Sequence, residues 1–123
     1  MTTEINWLVP DRLVEIIFVG ELESEDLMVL NRLDLANKAK PVYILADEFK
    51  LRLTVPEDVF SVLGKTDGKN PNIQFFAICG APAMMEIFSK LLGKLIGVKD
   101  KMAFFPTRAQ ALEKLESLLA QES

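Results

Sequence analysis

Apolar segments of strand length alternate with amphipathic segments along most of this chain. Residues 13–19, 42–46 and 73–79 are short and nearly continuous apolar runs, rich in branched or aromatic side chains, which is typical of buried strands. Residues 5–9 and 102–105 form two shorter runs of the same kind. The pattern therefore predicts five strands.

Helices are predicted between these strands from capping residues and from apolar positions at helical spacing. The four predicted helices cover residues 24–38, 54–63, 82–96 and 109–120. The order β-β-α-β-α-β-α-β-α predicts an α/β fold in which helices pack on a largely parallel sheet. A tight turn at Pro10-Asp11 joins the first two strands, so the first strand is expected to be an antiparallel edge of a mixed sheet.

Length and composition place the chain among single-domain globular proteins. We expect its 123 residues to form one domain spanning residues 1–123. The net charge of −4 lacks the electrostatic footprint of a nucleic-acid binder. We find no signal peptide and no run of roughly 18 apolar residues, so the sequence predicts a cytoplasmic protein without a membrane span.

The residue types on which much enzyme chemistry depends are scarce. The chain has no histidine and one cysteine, Cys79, which lies inside an apolar run and is predicted to be a buried core thiol. Ser-His and Cys-His nucleophile pairs and zinc sites built from histidine or several cysteines are therefore excluded. We expect no cofactor, no metal and no enzyme activity, although carboxylates alone could still support acid–base chemistry.

The carboxyl ends of the predicted strands, where α/β folds place their sites, carry no nucleotide-binding loop. Asp47 follows the third strand, as the phosphorylated aspartate does in bacterial receiver domains, and Glu21 with Glu23 could imitate their acidic pair. A receiver also needs a lysine after its last strand, and residues 104–107 contain none. Asp47 and Glu48 are therefore predicted to be a solvated strand end.

The third predicted helix has an unusually wide apolar face. At about 100° per residue, its apolar residues cover roughly half of the helix circumference. Met85, Leu92 and Ile96 fall on one edge of that arc. Two interpretations remain open. These residues either pack under a neighbouring helix, or they form a contact surface for a partner, an identical subunit or an apolar ligand.

Local motifs add a family resemblance. Gly20-Glu21-Leu22 before an acidic helix start resembles the G-E-L-D segment of the STAS family, the fold of bacterial anti-sigma-factor antagonists. The C-terminal third, from Phe76 through Gly97-Val98 to Ala111-Leu112, resembles the last two strands and helices of that family. The related group that shares its fold with lipid-binding Sec14-type domains fits about as well. The resemblance implies a STAS-like sheet and a bacterial regulatory role.

One departure from the family concerns its regulatory switch. Regulatory STAS domains carry a D-[ST]-S-G phosphorylation site at the start of the helix after the third strand, where this chain has Leu53-Thr54-Val55-Pro56-Glu57-Asp58. Thr54 is the only hydroxyl there, and a capping box with Glu57 accounts for it without phosphorylation. The sequence therefore predicts a binding role without the kinase-driven serine switch.

Two hypotheses from different classes follow. The first is a non-enzymatic regulatory or protein-interaction module that binds a protein partner or itself. The second is a domain that binds a small apolar or lipid-like ligand, with five methionines offering adaptable contacts. The candidate surface in both cases comprises Thr54, Glu57, Asp58, Met85, Leu92 and Ile96.

Overall fold

Five strands form one mixed sheet in the order β1-β2-β3-β4-β5 in this computed structural model, which describes residues 2–21, 23–52, 65, 70–95 and 97–122. The strands are β1 (Thr2–Val9), β2 (Leu13–Glu21), β3 (Val42–Arg52), β4 (Ile73–Cys79) and β5 (Met102–Phe105). β1 pairs antiparallel with β2, and every other neighbouring pair is parallel. The predicted mixed sheet with an antiparallel first edge strand is confirmed.

A tight turn joins β1 to β2, as the Pro10-Asp11 pair predicts. The Arg12 amide donates to the Val9 carbonyl at 3.0 Å, and Asp11 adopts φ 60°, a left-handed conformation that aspartate tolerates better than most residues. Lys38 contacts the Asp11 carboxylate at 2.7 Å, and Arg12 pairs with Glu122 near the end of the last helix. The turn is thereby attached to two distant segments.

Within the described residues, the helical segments are α1 (Ser24–Leu27), α2 (Ala83–Leu95) and α3 (Arg108–Gln121), with short 3-10 turns at Val29–Arg32, Leu35–Asn37 and Lys99–Lys101. The predicted continuous helix over residues 24–38 is wrong. Asp34 takes a left-handed φ of 55°, and its carboxylate accepts a 2.6 Å bond from Asn37 Nδ2. This local bond stabilises a turn in place of further helix.

Alternate residues of the central strands supply two cores, one on each face of the sheet. On one face, strand residues pack with the 3-10 segments: Val14, Ile16, Val29, Leu33, Leu35, Val42, Ile44 and Ile73. On the other face, they pack under α3: Leu13, Tyr43, Leu45, Ala77, Cys79, Ala111 and Leu115. Each fully buried leucine or isoleucine contributes about 1.5–3 kcal/mol relative to exposure. Because successive side chains of β2 and β3 point to opposite faces, the same two strands contribute to the core on each side of the sheet.

The third strand is longer than its sequence predicts. It continues through Asp47 and Glu48 to Arg52, so the prediction of a solvated strand end is wrong. The register with β2 shifts because Ile17 pairs with Asp47 whereas Val19 pairs with Lys50, which leaves one extra residue in β3. This bulge lets a polar pair continue inside the sheet, and Glu48 is only 8% exposed.

The predicted helix over residues 54–63 lies outside the described residues. α3 begins at Arg108, one residue before the predicted start, and Thr107 caps it, because Thr107 Oγ1 accepts a 3.2 Å bond from the Gln110 amide. Among the described helices, none combines the length and the apolar character needed to cross a bilayer.

Candidate functional site: the α2 edge and the strand-end crevice

The residues predicted for the candidate surface are only partly placed by the structure. Thr54, Glu57, Asp58 and Ile96 lie outside the described residues. The backbones of Met85 and Leu92 lie on α2, but their side chains are outside the described part. The proposed role of these six positions therefore stays a prediction, and the described neighbours on α2 carry the argument.

A small residue sets how α2 lies on the sheet. Gly93 is buried, and a Cβ placed there would come within 2.4 Å of the Met102 sulfur. Met102 pairs with Phe76, whose side chain packs against the core opposite α3. α2 therefore approaches that opposite face of the sheet through Gly93, which directs part of its wide apolar arc away from the sheet.

Among the described side chains of α2, two apolar ones are strongly exposed. Ile87 is 62% exposed and Leu91 is 50% exposed, and the two lie one helical turn apart. Lys90 and Lys94 are exposed beside them. We call these four residues the α2 edge. The predicted residues Met85, Leu92 and Ile96 lie on the opposite edge of the arc, because the helical period alone does not show which edge of the arc faces the sheet.

Lys90 is held along the helix by two contacts. Its ammonium lies 3.0 Å from a Glu86 carboxylate oxygen, at the i, i+4 spacing that favours ion pairs, and 5.4 Å from the centre of the Phe104 ring. The Lys90 side chain is still half-exposed. The α2 edge therefore presents an ordered positive charge beside Ile87 and Leu91.

A crevice opens where the loops after β4 and β5 diverge. The β4 loop leads to α2 and the β5 loop leads to α3 on the other face, a geometry that creates ligand sites in α/β sheets. The crevice has a volume of about 360 Å³. Its lining consists of Gly80, Ala81, Glu86, Phe104, Phe105 and Pro106.

Phe49 covers the glycine at the base of the β4 loop. Gly80 has φ 74°, and a Cβ there would lie 2.4 Å from the Phe49 ring, although Phe49 is itself 53% exposed. Gly80 therefore satisfies two requirements at once, since it adopts a left-handed backbone and leaves room for an aromatic ring. The contact links the bulged end of β3 to the crevice.

An ion pair between a buried carboxylate and a partly exposed arginine connects α3 to the centre of the sheet. Arg108 Nε lies 2.6 Å from Glu15 Oε2, and a second guanidinium nitrogen lies 3.1 Å from Oε1. Glu15 is buried, whereas the Arg108 side chain is 43% exposed. The hydrogen bonds and charge of Glu15 raise the pKa of Arg108 above its ordinary value, so Arg108 stays charged.

Cys79 lies near this ion pair, and its thiol is unreactive at neutral pH. Burial first, and then the charges of Asp47 and Glu15, raise the pKa of the Cys79 thiol to about 11. The guanidinium of Arg108 opposes this shift only in part. The predicted buried core thiol is confirmed, and such a thiol is a poor nucleophile at neutral pH.

Glu48 is a buried carboxylic acid with one unsatisfied oxygen. Its Oε1 atom makes no hydrogen bond. Burial, reinforced by the neighbouring charge of Asp47, raises the pKa of Glu48 from its usual 4.5 to about 7. Glu48 therefore changes charge near neutral pH.

Metal-ligand chemistry finds no support in the described part of the chain. Within it, no group of three Cys, Asp or Glu side chains is arranged to hold a metal ion.

Comparison with known proteins shows the fold. No protein-family model matches the sequence, and no curated protein matches it either. Among solved structures, the chain is similar to an uncharacterized protein of the DUF3478 family with a SpoIIAA-like fold from Shewanella loihica PV-4. The two share 20% sequence identity with a TM-score of 0.63, over 93% of this chain and 92% of the other. The STAS-like fold that the motifs imply is thereby confirmed.

Proposed function

We propose that this chain is a single-domain, non-enzymatic interaction module of STAS type that acts in the cytoplasm of a bacterium. It binds a protein partner or a second copy of itself through the α2 edge, without the serine switch of the regulatory family members. The observation that carries the proposal is the exposure of Ile87 and Leu91, 62% and 50%, on one face of α2.

Two features of the described residues support a binding role over a catalytic one. The Cys79 thiol, the only cysteine in a chain without histidine, has a pKa raised to about 11 by burial and nearby carboxylates. The large apolar side chains at Ile87 and Leu91 are costly to expose, because burying each would contribute about 1.5–3 kcal/mol. A partner that covers them gains that free energy on association.

Replacing both exposed residues by glutamine is expected to weaken association strongly. Glutamine keeps the helix but removes apolar area, so Ile87→Gln with Leu91→Gln should weaken partner binding by at least about tenfold. The measurement is capture from the native cell with tagged protein and quantitative mass spectrometry, combined with light scattering for self-association. Leu8→Gln with Val9→Gln is a matched control, since these β1 residues are 39% and 37% exposed. Equal capture by both double variants would contradict the proposal.

A small apolar ligand in the crevice is the second candidate function. The volume of about 360 Å³ falls within the range of ligand pockets, and Phe104, Phe105 and Pro106 supply apolar walls. Native mass spectrometry of the purified chain should then detect a bound small molecule. Ala81→Phe is expected to fill the crevice and to remove that species, whereas Ala109→Phe, at an exposed position of α3, should retain it. A wild-type spectrum with the mass of the bare chain alone would reject this candidate.

A further inference from the structure

We propose that the α2 edge binds an acidic amphipathic helix of a protein partner, in preference to a second copy of this chain or a lipid surface. The inference rests on the proposed function and adds the chemistry of the partner. It starts from Ile87, Lys90, Leu91 and Lys94, which are all exposed on one side of α2.

The apolar spacing fits a helix. Ile87 and Leu91 are four residues apart, so they form one of the i±4 ridges that pack into grooves between side chains of another helix. An amphipathic helix with its own apolar residues at i and i+4 offers the matching groove. The exposed pair therefore specifies a helical partner with apolar residues at i and i+4.

The charges around the pair specify the flanks of that partner. Lys90 and Lys94 are the two lysines beside the pair on α2. By sequence, residues 83–101 carry a net charge of +2, from Lys90, Lys94, Lys99 and Lys101 against Glu86 and Asp100, and the Lys101 ammonium donates to the Ile73 carbonyl at the start of β4. The whole chain carries −4, so the remaining residues carry −6. Within the described residues, Lys94 has no carboxylate partner. Because the α2 edge is positive, it attracts a partner helix that has acidic residues beside its apolar stripe, and it repels one that has basic residues there.

If two copies associated through the α2 edge, lysines of the two copies would lie close to each other. In an antiparallel pair of α2 helices, the two-fold axis keeps equivalent flanks on the same side of the interface. Lys90 and Lys94 of both copies would then line one flank, with the Glu86 carboxylates already engaged by Lys90. These repulsions favour a different, acidic chain.

An anionic lipid surface fits the edge less well. It would attract the local +2, but it would repel the −6 carried by the rest of the chain. A helix that contacts only the α2 edge avoids the acidic remainder of the protein.

Two synthetic helical peptides test the inference on the full chain. Both carry the same leucine stripe at i and i+4, one with glutamate flanks and the other with lysine flanks. Titration of isotope-labelled protein should show resonance shifts at Ile87 and Leu91, and the acidic peptide should bind at least about tenfold more tightly at low salt. Lys90→Glu with Lys94→Glu should reverse this preference. Lys40→Glu with Lys114→Glu makes the same charge change at exposed positions elsewhere and should not.

Several results would overturn the inference. Two of them concern the peptides: the two peptides bind equally or not at all, or the control variant also reverses the preference. The other two concern different occupants: the protein binds phosphatidylserine vesicles more tightly than the acidic peptide, or it self-associates in a way that requires Ile87 and Leu91. The proposed function is tested separately. If glutamine at those two positions abolishes partner capture but charge reversal has no effect, the interaction module stands and the acidic partner is rejected.

Discussion

Replacing Glu48 by glutamine is expected to raise the free energy of unfolding by about 3 kcal/mol at pH 8 and to change it little at pH 4. The pKa of Glu48 rises from its usual 4.5 to about 7 in the folded protein, because burial disfavours the charged carboxylate. Glutamine has nearly the same shape and cannot ionise. It therefore removes the cost of holding a charge at a site that is 8% exposed.

The direction of the pH dependence follows from proton binding. Below about pH 4.5, Glu48 is protonated in both the folded and the unfolded chain, and its contribution to stability is fully present. Between about pH 4.5 and 7, the unfolded chain releases its proton while the folded chain keeps it, so this contribution falls as the pH rises. Above that window the loss is complete. The advantage of Glu48→Gln over wild type should grow across the same window.

Urea unfolding at several pH values measures this effect. Glu113→Gln is the matched control, because Glu113 is exposed on α3 and its replacement should give a small difference at every pH. A Glu48→Gln variant that is less stable than wild type at pH 8 would show that the charged form is stabilised. A pH-independent difference would show that Glu48 does not titrate in this window.

Replacing Arg108 by alanine is expected to lower the free energy of unfolding by about 2–3 kcal/mol. The loss leaves the buried Glu15 carboxylate without the two guanidinium bonds of 2.6 and 3.1 Å. The expected value lies below that of a fully buried pair, because the Arg108 side chain is 43% exposed and water partly screens it. Alanine is a good helix former, so loss of the ion pair accounts for the change.

A double-variant cycle separates the ion pair from other effects of the substitution. Glu15→Gln combined with Arg108→Ala removes the unpaired charge, and it should be more stable than Arg108→Ala alone. Arg108→Lys should fall between wild type and alanine, because lysine keeps the charge but cannot make the two-nitrogen contact. Additive losses in the double variant would show that the two side chains do not stabilise each other.

The sheet could be read from the sequence because its signals are local. Residues 73–79 are almost continuously apolar, and a strand buried on both faces requires that pattern. The Pro10-Asp11 turn supplied the direction of the first strand. The segment after β2 was predicted as one helix because propensity does not reveal the left-handed backbone at Asp34.

The continuation of β3 also depended on long-range contacts. The sequence predicted a solvated strand end at Asp47 and Glu48, since a polar pair normally ends a buried strand. Pairing with β2 on one side, and with β4 at Asp47, holds them in the sheet, with the bulge absorbing the extra residue. The raised pKa of Glu48 follows from that pairing, and no local pattern indicates it.

The sequence by itself determined the order of elements, the mixed sheet, the buried cysteine and the presence of an apolar excess on α2, because each depends on residue type and spacing along the chain. Only the tertiary structure decided which part of that excess is exposed. The contact of Gly93 with Met102 sets the rotation of α2, and it joins residues from separate elements. Such a contact is a property of packing, so Ile87 and Leu91 became the candidate surface only once the helix lay on the sheet.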